Sequence, residues 1–367
     1  MLYGMWIVVF FGTAFLMIEY PKSKLISKLC VYALFVFLFI MHGWSRGAYD
    51  VEIGISRYNN YQSYQAFTEV GFDTLVQMGH SLGFSYRTFY VFLALFELII
   101  IFWFVTKNCV RSPIALGLFI LYPSVILLQY SRNIVAVPFI LMGIVTLLNK
   151  RKHYIPRFVL LIIFATLFHA SSVVFLLLLP LSFLPRKTAV MSVAGAAVFF
   201  EVASNLSFLY NLVSRYIGSS KADILSRTAN AEGNFGRIVA LLLAIAVFFV
   251  MYYLLKKVYK VEMDDDRDRV IFNMNTLLFI CIPLTTNFAV GFARIPSLVW
   301  IVNYVFYVNK ICEIQSQRKR LFCYCVLGLM LGALLFLAFR NLAYRELVLY
   351  PFFEQNEFVE LLFAPFV

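Results

Sequence analysis

Unbroken apolar runs recur along this chain at lengths close to the thickness of a bilayer, and they leave few folds open. A helix needs roughly 20 residues to cross the hydrocarbon layer. Backbone in lipid must also satisfy its own hydrogen bonds. Leu-, Phe-, Ile- and Val-rich runs without period-two alternation therefore predict helices and not barrel strands. The candidate spans are 2–18, 29–44, 88–106, 112–129, 133–148, 188–203, 238–255, 270–290, 296–312 and 321–339. A further apolar stretch, 158–184, is long for one crossing and short for two, with His169 near its middle and Pro180 near its end. Composition agrees. Of 367 residues, 62% are hydrophobic and 14% charged, against about half and a quarter in a soluble domain. Forty Phe and 22 Tyr are too many for one water-soluble core of this size. The first run has no Lys or Arg before it and no small-residue cleavage site, so it reads as a retained span and not a signal peptide. The expected fold is all-α: one polytopic membrane domain over 1–367, with about ten transmembrane helices and a broken or re-entrant segment at 158–184.

Charge sets the orientation. The net charge is +12, and no soluble basic domain exists to carry nucleic acid. Placing loops 19–28, 107–111, 149–157, 256–269 and 313–320 in the cytosol satisfies the positive-inside rule. Arg186 and Lys187 join that side only if 158–184 enters and leaves by the same face, as two half-helices meeting at His169. If the segment spans instead, every later loop flips and Lys256 to Arg269 fall outside. With the hairpin, 20 of the 31 basic residues are cytosolic, 12 Lys and 8 Arg. The other 11 are external, ten Arg and one Lys. A topology signal does not distinguish the two cations, but the planar fork of arginine grips phosphate and carboxylate bidentately. The skew thus points to an anion-binding outer face, the plain alternative being arginines snorkelling at the interface. Two external segments are long enough to shape a site. One is 45–87, where Tyr61, Tyr64, Phe67, Phe72, Leu75, Met78 and Leu82 fall near helical spacing, as in an amphipathic interfacial helix that Gly71 interrupts. The other is 204–237. The tail 340–367 also lies outside.

No Walker A loop, dinucleotide fingerprint or HExxH pair occurs, and the six cysteines form no spaced framework. ATP-driven pumps and zinc proteases are therefore not indicated, and no metal or cofactor is expected. The chemistry-bearing residues are ionisable groups at or near the outer half. His169 lies in Thr166-Leu-Phe-His169-Ala-Ser171-Ser172 inside a charge-free run; an ionisable group there is a functional candidate, and imidazole suits a general base. The alternative is a neutral histidine bonded to a neighbouring helix. Arg132 and Asn133 open the span after an outer turn, where the helix dipole also favours anions. Arg294 stands just before another helix start. Asp50, Glu69 and Asp73 share the first external segment with Tyr58, Tyr61 and Tyr64, carboxylates beside aromatics such as sugar rings meet. Glu97 reads as a packed polar partner within its span; His42 and His80 lie near the outer face.

These residues resemble a family. Tyr58, Tyr61 and Tyr64 followed by Glu69-Val-Gly71-Phe72-Asp-Thr-Leu75, then Ser131-Arg132-Asn133-Ile-Val-Ala136, then Phe168-His169-Ala-Ser171-Ser172, are similar in order and membrane placement to the EpsG family, Wzy-type polymerases of bacterial exopolysaccharide, capsule and O-antigen repeat units. The resemblance covers about residues 45–180. One departure is Asp50, which stands eight residues before Tyr58, where the family often has an Asp close before the first loop tyrosine. The resemblance implies a GT-C-like helical fold in the bacterial plasma membrane. The implied reaction joins polyprenyl-diphosphate-linked glycans at the outer face without a metal. His169 and Glu69 would be catalytic, Arg132 and Arg294 would bind the diphosphate, and Asp50, Tyr58, Tyr64 and Asn133 would bind glycan. Membrane lipids, a chain-length regulator and a flippase of the same pathway are the implied partners, and nucleic acid is not one. A glycan ligase with the same donor, a lipid-linked oligosaccharide flippase and a membrane acyltransferase are the competing classes.

Overall fold

The computed structural model describes residues 23–45, 49–61, 69–127, 131–204, 234–287, 295–340, 346 and 354–363. Among them the regular structure is helical, apart from an isolated bridge between Ser45 and Asn356. The α-helices in chain order are α1 (Lys24–Gly43), α2 (Tyr49–Asn59), α3 (Val70–Ser81), α4 (Tyr86–Asn108), α5 (Ser112–Leu121), α6 (Ser124–Leu127), α7 (Ser131–Asn149) and α8 (Tyr154–Phe168). A 3-10 helix (Ala170–Leu177) then leads into α9 (Leu178–Leu181) and α10 (Arg186–Ser204). They are followed by α11 (Asn234–Tyr253), α12 (Asp266–Leu277), α13 (Cys281–Asn287), α14 (Ile295–Glu313), α15 (Gln317–Phe339) and α16 (Glu357–Phe363). Side chains cap several starts: Ser23 Oγ accepts from the Ile26 amide at 3.3 Å, Ser85 Oγ from Thr88 at 3.2 Å, and Asp265 Oδ1 from Asp268 at 2.6 Å.

The candidate spans 29–44, 88–106, 133–148, 188–203, 296–312 and 321–339 correspond to α1, α4, α7, α10, α14 and α15; 238–255 is α11 running into a π-turn at Leu254–Val258. Span 2–18 lies outside the described residues. Two expectations are corrected. The run 112–129 is not one helix: α5 stops at Leu121 because Tyr122 precedes Pro123 and is extended, at φ −159 and ψ 132, the region that proline imposes on its predecessor. The run 270–290 begins earlier, at Asp266, and tightens to a 3-10 turn at Leu278–Ile280 before α13. Pro283 offers no N–H to the carbonyl four residues back, so the ladder is interrupted there. Within 45–87 the described residues hold α2 and α3, and 62–68 between them lies outside the described residues.

Among the described residues, four helices are long and apolar enough to cross a membrane: Lys24–Gly43, Tyr86–Asn108, Leu241–Val258 and Gln317–Leu337. Their outward faces are greasy. On α4, Phe92, Phe96, Ile99 and Trp103 are exposed at helical spacing, while Leu93, Ala94, Leu98, Ile101, Phe104 and Val105 are buried. On α15, Phe322, Leu329 and Phe336 face out, opposite buried Cys323, Leu327, Leu331 and Leu334. Apolar stripes of this size are not left against water, and the chain is an integral membrane protein.

The ends of the helices differ chemically. At one end, Lys256 and Arg186 both pair with Asp264 (2.6 and 3.0 Å), Lys150 with Asp266 (2.7 Å), and Lys310 with Asp268 (2.9 Å) and Glu313 (3.4 Å). Hydrogen bonds from Lys256 and Arg186 hold the Asp264 carboxyl below its ordinary value. Asn309 joins the same end through Val110 N (2.9 Å) and Asn108 O (2.7 Å). These are the loops grouped by charge as one side. The opposite end joins Arg57 to Asp73 (2.5 Å) and Arg87 to Glu357 (2.9 Å), drawing α16 onto α1 and α4. No ion pair named here mixes the two sets.

The segment 158–184 is a hairpin broken at His169. Lys150 before it and Arg186 after it are tied to Asp266 and Asp264 of one loop, so the chain returns to the end it left. Its arms match in length. The 15 residues of α8 rise about 22 Å at 1.5 Å per residue. The eight 3-10 residues and four of α9 return about 22 Å, at roughly 2.0 and 1.5 Å per residue. Each arm is thus shorter than the ~30 Å thickness of a hydrocarbon layer. Asn273 of α12 secures the returning arm, donating to Leu181 O (2.7 Å) and Leu184 O (3.0 Å). Asn273→Leu would leave both carbonyls without that donor. A loss of about 2 kcal/mol is expected, read as a lower midpoint in thermal melts of the purified protein in detergent.

Candidate functional site

The tip is where the polar residues meet. His169 terminates α8 in an extended conformation, φ −148 and ψ 105, with its amide on Ala165 O (2.9 Å) and its carbonyl taking the Ser172 amide (2.9 Å). Phe168 beside it stacks on Phe139 of α7, centroids 5.6 Å apart and planes 5° apart. Ser171 and Ser172 follow, both buried.

Across the tip lies the start of α3. Gly71 there has no side chain, and a Cβ would come within 3.0 Å of Leu167 Cβ and Phe168 Cε1 and 3.1 Å of Leu167 O. This close approach delivers Glu69, one residue before α3, to the tip. Its carbonyl accepts from the Phe72 and Asp73 amides, and its carboxylate does not cap the helix. Instead Oε1 lies 3.5 Å from His169 Nδ1, with the two residues only 4% and 6% exposed. The family resemblance names Glu69 and His169 separately; the fold brings them together. A carboxylate beside imidazole orients the ring and supports the imidazolium that forms when it takes a proton. A 3.5 Å separation is at the long end of hydrogen-bond reach, as is common before a substrate closes such a contact.

A second hydrophobic cluster supports the couple from behind. Phe72 and Val76 of α3 pack with Val51 and Tyr58 of α2, with Tyr86, Phe89 and Tyr90 of α4, and with Ile134 and Val135 of α7. Arg132 and Asn133 occupy the first turn of α7, directly before those two residues. The helix start with its positive dipole end therefore adjoins the same cluster as Glu69 and His169. The Arg132 and Asn133 side chains lie outside what the structure describes, as does that of Asp50, the second residue of α2. Tyr64 and Arg294 are outside the described residues altogether; α14 begins at Ile295, immediately after Arg294.

Tyr58 is placed differently from the expected sugar-stacking role. It is 2% exposed, its hydroxyl donates to Phe84 O (2.8 Å), and its ring stacks on His80 at 4.2 Å and contacts Phe89 at 5.1 Å. Tyr61 takes the other side of the His80 ring, also at 4.2 Å. These side chains build the layer that carries Glu69. Asp73, one of the carboxylates that stand beside aromatics in the sequence, anchors Arg57, whose guanidinium also lies 5.6 Å from the Phe72 ring centre. The signal missed in the sequence is Gly71: it marks a contact between helices and not a break. Gly71→Leu is expected to push α3 off the tip and destabilise by about 1–3 kcal/mol. Gly195→Leu, where nothing lies within 4 Å, is expected to stay within ~0.5 kcal/mol; paired thermal melts check both.

Neither a curated protein nor a solved structure matches this chain. A family profile does: EpsG, over residues 28–352, which spans every helix from α1 to α15. That range contains the hairpin, the Gly71 contact and the Glu69–His169 couple. The chain belongs to the EpsG family, membrane proteins resembling Wzy-type polysaccharide polymerases.

Proposed function

We propose that this protein is a glycosyltransferase that polymerises polyprenyl-diphosphate-linked oligosaccharide repeat units at the outer face of the bacterial plasma membrane. The observation that carries the reading is the buried Glu69–His169 couple at the tip of a hairpin that returns to the basic end. The basic end is the cytosolic one by the positive-inside rule, and the tip then points toward the outer leaflet. Such a position suits a substrate whose sugar is in water and whose tail is in lipid.

In the proposed reaction a hydroxyl of the acceptor unit attacks the anomeric carbon of the donor glycan. The new glycosidic bond forms as the bond from that carbon to the diphosphate oxygen breaks. Polyprenyl diphosphate leaves with the electron pair, and the hydroxyl proton passes to the His169–Glu69 couple. Positive charge must meet the leaving diphosphate. Arg132, in the first turn of α7, and Arg294, directly before α14, supply it, each reinforced by a helix N-terminus. Asp50, Tyr58, Tyr64 and Asn133 are the glycan-binding candidates, of which Tyr58 is largely buried and would act mainly through the layer it packs in. A flippase and a chain-length regulator of the same pathway are the partners this role requires.

The deciding experiment deletes the gene and resolves the cell's glycan by size and side. Single lipid-linked repeats at the outer face are expected. Repeats retained inside would indicate a flippase instead, and long lipid-linked chains a ligase. Within the site, His169→Ala and Glu69→Gln should each abolish polymer at normal protein level. The double variant should be no worse than the more severe single one, because the two act as a unit. Arg132→Ala and Arg294→Ala should each slow polymerisation by about 10²-fold or more, measured on membranes supplied with lipid-linked repeats. Normal polymer from both arginine variants would remove the charge assignment.

A further inference from the structure

A second couple of ionisable side chains lies in the interior, apart from the hairpin. His42 of α1 and Glu97 of α4 are 1% and 0% exposed, with Nε2 3.3 Å from Oε2. On the other side of the imidazole, the Tyr90 hydroxyl is 3.5 Å from Nδ1, and the two rings meet edge-on at 5.4 Å. Neither oxygen of Glu97 has a hydrogen-bond partner among the described residues, and neither has His42 Nε2. They therefore face each other and little else. Glu97 is midway along the 23 residues of α4, eleven from Tyr86 and eleven from Asn108. At that depth water does not help.

Charge counting fixes how many protons the couple holds. With none shared, Glu97 is a lone carboxylate beside a neutral ring. With two, His42 is a lone imidazolium beside a neutral acid. Each is an uncompensated charge in apolar surroundings, which is costly in a span. With one proton the couple is neutral, whether that proton sits on nitrogen or on oxygen. In either form the Nδ1 hydrogen points to the Tyr90 oxygen, so all three groups keep a partner.

We propose that Tyr90, His42 and Glu97 form an intramembrane proton-binding site that holds one proton between His42 Nε2 and Glu97 Oε2, and that this proton locks α1 onto α4. The proton comes from bulk water and no other bond changes. The proposed glycosyl transfer does not use it. The lock serves the end of α1 next to it. Gly43, the following residue, gives its carbonyl to Arg87 (3.1 Å), which also holds Ser45 O (2.9 Å) and Glu357 (2.9 Å). Asn356 donates to Ile40 O (3.0 Å), and the Glu357 amide to Trp44 O (3.0 Å). The shared proton thus holds this end of α1 from inside, while Arg87 and the segment before α16 hold it from the rim.

The test uses the full chain in lipid nanodiscs at neutral pH, with infrared spectra of wild type minus Glu97→Gln and wild type minus His42→Ala, in H2O and in D2O. The near-isosteric amide keeps the first variant folded. A carboxylic-acid stretch assigned to Glu97, or an imidazolium mode assigned to His42, shifting in D2O, is the expected result. Absence of both bands overturns the proposal. Thermal melts give an independent reading. His42→Leu and Glu97→Leu should each lower the midpoint, because each leaves the other group buried alone, and the double variant should melt above either single one. A double variant that loses the sum of the two single shifts overturns it.

Discussion

A helix interrupted inside an apolar layer must find new partners for the backbone groups it frees, because lipid offers none. The break at His169 is the point from which the rest of this structure follows. The His169 amide still bonds back to Ala165, and its carbonyl takes the Ser172 amide as the chain enters a 3-10 helix. On the returning arm, Asn273 reaches the carbonyls of Leu181 and Leu184. With the backbone satisfied, the chain can reverse within the layer, and the reversal sets which loops share a side. It also places an imidazole at depth on a tip that another helix can cross.

The crossing depends on absence of bulk. Gly71 lets α3 approach Leu167 and Phe168 at a distance where a Cβ would crowd all three of its neighbours. Glu69 is carried to His169 by that contact and not by an attraction acting through the sequence. The layer behind it is aromatic: Phe72, Phe89, Tyr58 and Tyr86 share one cluster with the first turns of α7. Rigidity there matters for any chemistry at the couple, since acid–base transfer is sensitive to small displacements.

Polar contacts in the interior hold helices that the hydrophobic effect cannot press together in lipid. Asn275 of α12 and Asn303 of α14 exchange two hydrogen bonds of 2.8 Å, both side chains fully buried. Lys310 lies near the end of α14 and returns to Asp268 at the start of α12, where burial pushes the aspartate up to about 6 against the pull of the lysine. Arginines at the end opposite the Asp264 cluster are bound up in the same way. Arg57 is engaged by Asp73, and Arg87 by two carbonyls and Glu357. Both join helices, so the count of arginines at that end overstates the number left to meet an anion.

By itself the sequence determined that the chain lives in a membrane, that its helices run where the apolar stretches lie, and which loops share a side. Each of these follows from composition and charge summed over many residues, so no single contact can overturn it. It also marked His169, because an ionisable residue in an apolar run is conspicuous in one dimension, and Glu69, as a carboxylate beside aromatics. It did not show that they belong together. One hundred positions separate them, and their meeting depends on a reversal, a missing Cβ and a stacked Phe168. Nor did it show that Tyr58 is packed inside the fold, that Asp73 is paired, or that His42 answers Glu97. Those outcomes were decided by the tertiary structure, because the space left by neighbouring side chains and the angle at which helices meet are not properties of any local run of residues.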